Sequence, residues 1–113
     1  KLITKEYEDK KAIGSPDIIR IHSMDVLYTK EYLFSYLQQP FVYDYMQSLK
    51  YGSVIERFDI DTIKIIPVVT PTRKLSEEIT GIIKRYMDCT YRAFNAEEKA
   101  IRMVEEEIEK WNK

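Results

Sequence analysis

Apolar and polar positions divide the chain into a mixed first part and a strongly periodic last part. Asp17-Ile18-Ile19-Arg20-Ile21-His22 partly alternates and is rich in isoleucine, which predicts a strand after the Gly14-Ser15-Pro16 turn signal. Thr29 is placed to cap a helix over 30–38, with Leu33 and Leu37 on one face and Tyr32 and Tyr36 on a neighbouring stripe. Gln39 precedes Pro40, which disfavours running that helix on, and Pro40 suits the first turn of a second helix. Val42, Tyr45, Met46 and Leu49 give this second helix an apolar face, and Gly52 suits its stop. Residues 54–58 read as a short strand and 59–62 as a single helical turn. The run 63–69 is almost wholly apolar and β-branched, so it predicts a strand buried on both faces. Pro67 inside it ends the pairing or places it at an edge.

The last part reads as helix. Ile79, Ile82, Tyr86, Cys89, Ala93 and Ala96 follow 3-4 spacing. Phe94, Ile101, Val104, Ile108 and Trp111 follow it too, one residue out of step. A skip near Asn95 reconciles the stripes, and Asn95 with Glu98 fits an N-cap with its capping-box partner. The expectation is one long helix kinked at Asn95 or two consecutive helices, about 60 Å long if unbroken. The remaining residues are too few to cover such a rod, so its stripe requires another helix. The fold class expected is α+β: a small mixed sheet with helices, then a long C-terminal helix that packs as a coiled coil with a partner helix.

Composition narrows the function classes. At 113 residues, 44% of them hydrophobic, the chain suits one small domain or part of one with a real core. It opens on Lys1 rather than methionine, so a fragment or processed product is expected. No apolar run is long enough to cross a membrane, and the first residues lack a signal-peptide core. Cys89 is the sole cysteine, which excludes an internal disulfide and makes a reducing, cytoplasmic setting the default. Net charge is −1, split as +1 over 1–74 and −2 over 75–113. Any DNA contact must then come from a local patch, with most phosphate-neutralising charge elsewhere in a larger protein.

Little here points to catalysis. His22 is the sole histidine, so no metal cluster of His and Cys can form, and Ser15, Ser23 and Ser53 have no other histidine as a base. A histidine meeting solvent or a backbone group is the better reading of His22. Gly14, Gly52 and Gly81 are too scattered for a phosphate loop, and no cofactor is expected. Pro40-Phe41-Val42-Tyr43-Asp44-Tyr45 has some likeness to the Asn/Asp-Pro-Pro-Tyr/Phe motif of adenine methyltransferases. It lacks the leading Asn/Asp and the second proline, and it sits on a helix pattern, so it is rejected. Of nine tyrosines, six crowd into one region: Tyr28, Tyr32, Tyr36, Tyr43, Tyr45 and Tyr51. Tyr32, Tyr36 and Tyr45 read as core rings, while Tyr43 and Tyr51 stay open between core and a DNA-facing surface. Lys50, Tyr51 and Ser53 flank Gly52 in an exposed turn, where such side chains reach phosphates or base edges. Arg20, Lys10 and Lys11 are weaker candidates of the same kind. Glu105-Glu106-Glu107 with Glu109 reads as a solvated helix face, and Trp111 as a ring packed on a partner helix or subunit.

The order Lys50-Tyr51-Gly52-Ser53-Val54-Ile55, then Asp59-Ile60-Asp61-Thr62-Ile63-Lys64-Ile65-Ile66-Pro67, then Pro71 and a long helix is similar to a known arrangement. It resembles the end of a target recognition domain running into the spacer helix of a type I restriction-modification specificity subunit. Ala100-Ile101-Arg102-Met103-Val104-Glu105-Glu106-Glu107-Ile108 looks like that family's Ala-Ile-x-x-(Leu/Val)-Glu-x-x-Ile pattern, whereas Glu78-Ile79 stands where the family often has a glutamine. The likeness covers roughly residues 17–111. It implies that 1–70 is the C-terminal part of a DNA target recognition domain and 71–113 a helical spacer. The chain would catalyse nothing and would direct DNA methyltransferase subunits, and through them a restriction endonuclease subunit, to double-stranded DNA. Lys50, Tyr51, Ser53, Arg20 and Lys11 would face DNA. Ile79, Ile82, Tyr86, Ala93, Ile101, Val104, Ile108 and Trp111 would face another spacer helix, from a missing half of the protein or a second copy. A fused methyltransferase-nuclease is an alternative parent. The competing class is a helical dimerisation or docking domain without DNA specificity.

Overall fold

The structure, a computed structural model, describes residues 18–51 and 59–113. Four helices make up most of them: α1 (Lys30–Leu37), α2 (Pro40–Ser48), α3 (Ile60–Lys64) and α4 (Arg73–Trp111). Thr29 caps α1 as its spacing implies, its hydroxyl accepting from the Tyr32 N–H at 3.1 Å. Pro40 occupies the first turn of α2, where its missing N–H has no partner to lose. Thr72 caps α4, its hydroxyl accepting from the Leu75 N–H. The single helical turn expected at 59–62 is α3, one residue further on and slightly longer.

The core is small and aromatic. Tyr32, Tyr36 and Val42 are buried, and Tyr28, Leu37, Met46, Val68 and Ile79 pack against them. Tyr32 and Tyr36, four residues apart on α1, stack with centroids 6.0 Å apart, and Tyr28, just before the cap, meets Tyr32 edge-on at 6.4 Å. Phe41 meets Tyr36 edge-on at 6.2 Å. The start of α4 lies against α1. Ser76, almost wholly buried, donates to the Leu27 carbonyl at 2.7 Å, and the Thr80 and Thr29 hydroxyls are 2.8 Å apart.

The small mixed sheet of the expected α+β fold is not there: the described residues contain no β-strand and are mainly helical. Residues 18–22 have no regular structure. The predicted strand over 63–69 divides in two, its first residues closing α3 and the rest without regular structure. It is not buried on both faces, since Ile65 and Val69 are 68% and 64% exposed. The physical reason lies in the tyrosines. The Tyr36 hydroxyl donates to the Pro67 carbonyl at 3.0 Å and the Tyr32 hydroxyl to the Val69 carbonyl at 2.6 Å. The Tyr28 hydroxyl bonds the Thr70 hydroxyl. Two phenols from α1 thus satisfy carbonyls that a neighbouring strand would otherwise take, and Pro67 has no N–H to offer a ladder. The strand expected over 54–58 and the stop at Gly52 lie outside the described residues.

The last helix is not divided into two: α4 runs unbroken for 39 residues, through Asn95. At 1.5 Å per residue this is about 58 Å. A single register explains the continuity. Ile83, Met87 and Phe94 share one seam with Ile101, Val104, Ile108 and Trp111, so no skip is needed if Ile82, Tyr86 and Ala93 flank that seam rather than form it. Ile83, Met87 and Phe94 are half-buried, while Ile82, Tyr86 and Ala93 are exposed.

Candidate functional site

Two surfaces carry the residues singled out by the sequence. The first follows α2. Lys50 and Tyr51 come directly after its C-terminal cap, Leu49, with Lys50 half-buried and Tyr51 57% exposed. The Lys50 backbone N–H donates to the Gln47 carbonyl, which continues the last turn of α2 and fixes the start of this segment. Arg20 is exposed on the irregular segment before α1, so it is presented from a different part of the chain. Ser53 and Lys11 lie outside the described residues.

Between these segments the aromatic surface continues. Phe41, Tyr43 and Tyr45 of α2 are 64%, 56% and 42% exposed. Tyr45 therefore stands apart from Tyr32 and Tyr36, the two rings that reach the core as expected. A shallow apolar groove is lined by Tyr36, Phe41, Val42, Tyr45, Ile66 and Pro67. Burial pushes the Tyr32 phenol above its ordinary value, and the neighbouring Tyr36 and Tyr28 add to the effect. The phenol is thereby held as a proton donor to Val69. His22 is exposed, as is Cys89. No group of three or more acidic, His or Cys side chains able to hold a metal ion occurs among the described residues.

The second surface is α4. Ile79, expected to face a partner helix, packs instead against the tyrosine core of its own chain. Ile82 and Tyr86 are 55% and 54% exposed. Ile101, Val104, Ile108 and Trp111 are 52%, 60%, 56% and 85% exposed, and every residue from Lys99 to Lys113 is exposed. Short ion pairs lie along the helix, Arg73 to Glu77 at 3.0 Å, Arg102 to Glu98 at 3.6 Å and Lys110 to Glu107 at 3.1 Å. They sit in water and add little each. Ile83 and Met87 were not among the expected interface residues. Their seven-residue relation to Thr90, Phe94, Ile101 and Ile108 was the signal that locates them.

No helix of the described residues is long and apolar enough to cross a membrane. Compared with known proteins, the chain matches no family model, no curated protein and no solved structure.

Proposed function

We propose that this chain is a sequence-specific DNA-recognition module of a restriction-modification system. In this reading it has no catalytic role and needs no cofactor. It acts in the cytoplasm and directs DNA methyltransferase subunits, and through them an endonuclease, to their target. One observation carries the reading: the succession of a turn after α2, the Ile63-Lys64-Ile65-Ile66-Pro67 segment, Pro71 and a long amphipathic helix, which resembles the recognition-domain end of specificity subunits. Its support in the fold is the fixed relation between the parts. Two tyrosines of α1 tie the 67–69 segment down, and the start of α4 is bonded to the segment before α1 and to its cap. Lys50 and Tyr51 are then held on a body from which α4 departs, so contacts to phosphate or base edges would be transmitted as a defined orientation of the helix.

The test is a long-read methylation map of the source cell with and without the parent gene. The expected result is the loss of one bipartite adenine-methylation motif on deletion. In the purified complex, Tyr51→Ala should weaken binding to that motif, and Lys50→Ala should reduce the salt slope of binding by about one. Equal affinity of the complex for all DNA sequences at matched salt would sink the reading.

A second reading, a docking domain without DNA specificity, is favoured by one observation: the uncovered seam from Ile101 to Trp111. The two are compatible, since a specificity module must also hold its partners. Docking alone predicts an unchanged methylation map together with co-purification of a partner through 79–111.

A further inference from the structure

We propose that the distal part of α4, Glu97–Trp111, docks against a helix of another protein whose apolar seam is flanked by lysine or arginine. This deepens the docking role above and rests on it, but not on which DNA is recognised.

Ile101, Val104, Ile108 and Trp111 are spaced 3-4-3, the core positions of two heptads, and all are more than half exposed. A helix gains most of its stability from packing its apolar face, and among the described residues none of this stretch is buried. The occupant is indicated by charge. Glu98 and Glu105 flank the seam on one side and Glu107 on the other, with Lys110 and Arg102 answering only two of these. Residues 97–111 hold six glutamates against Lys99, Arg102 and Lys110, a net −3. Four of those glutamates, at 105, 106, 107 and 109, crowd the C-terminal end, where the helix dipole is itself negative and Lys110 is the sole base of the last turn. Acids at both flanks and a negative helix end together ask for a cationic neighbour.

A second copy fits badly. Antiparallel pairing that matches Val104 to Ile108 brings Glu105 against Glu105 and Glu107 against Glu107 of the other copy. Parallel pairing sets Glu105 and Glu107 opposite Ala100 and Asn112 and brings no cation to either flank. An anionic lipid surface fits no better, because helices that lie on it carry lysine and arginine on their polar face.

Trp111 is the sole tryptophan, so its emission reports docking directly in the whole chain. The probes are three-heptad peptides with Ile and Leu at the seam and either Lys or Glu at every flanking position, plus a Lys-flanked peptide with an alanine seam. The Lys peptide should shift Trp111 emission to the blue and bind at least tenfold more tightly than the Glu peptide. Glu105→Lys with Glu107→Lys should reverse that order. Val104→Asp should abolish binding with an unchanged thermal melt. Four results would overturn the proposal: no binding of the Lys peptide, equal binding of the Glu peptide, equal binding of the alanine-seam peptide, or a wild-type dimer in sedimentation that Val104→Asp splits. A blue shift on anionic vesicles without any peptide binding would overturn it too. Because the readout needs no DNA, failure here is separate from the outcome of the methylation map.

Discussion

Tyr28, Tyr32 and Tyr36 each give one face of the ring to the core and a hydroxyl to the segment that leads into α4. Tyr32 is the most committed, since its ring is buried and its hydroxyl donates at 2.6 Å. Tyr32→Phe leaves the Val69 carbonyl without that donor and should cost about 1–2 kcal/mol in chemical denaturation. The phenol also sets a pH limit. Its folded pKa is raised above the ordinary 10.0, so the folded state binds this proton more tightly than the unfolded chain does. Its contribution is therefore whole below pH 10 and is lost as pH rises through the folded value. Melts at pH 8, 10 and 11 should show a steeper decline at high pH for the wild type than for Tyr32→Phe. The amphipathic use of Tyr32 and Tyr36 was legible in their four-residue spacing. Their acceptors were not, because those lie 37 and 31 residues away and no local pattern marks a carbonyl that will need a phenol.

At the scale of elements, chemistry written in neighbouring residues was the most legible. Thr29, Pro40 and Thr72 each act within three residues of themselves, and the helices begin where they stand. The run 63–69 misled because apolar, β-branched composition reports a preference for extended backbone, not the presence of a second strand to pair with. Asn95 misled differently: a good capping pair in sequence is overridden when the seam on both sides continues in one register. Gly81 offers a check on how α4 is held. It sits within the helix with nothing within 4 Å of the place a Cβ would occupy. Gly81→Ala should therefore stabilise the protein by about 0.5–1 kcal/mol, seen as a higher denaturation midpoint with an unchanged slope. A fall in stability would mean that this turn is packed more closely than its open surroundings indicate.

For the whole molecule, the candidate site was legible only as residue types. That Lys50 and Tyr51 close α2 while Arg20 is presented from before α1 depends on tertiary placement. That Ile79 belongs to the core while Ile101 does not depends on how far α1 reaches along α4. The unbroken run of α4 from Arg73 to Trp111 has a consequence for rotational phase. With its first turns bonded to the rest of the chain, the compass bearing of Trp111 is fixed by counting residues. One alanine inserted after Ala96 swings the distal stripe by about 100°, whereas seven restore its bearing to within about 20° and move it outward by about 10 Å. Both insertions should leave the melt of the isolated chain nearly unchanged. If the chain directs a methyltransferase as proposed, the single insertion should abolish modification and the seven-residue one retain part of it. Equal loss from both would show that reach, rather than bearing, is what the helix sets.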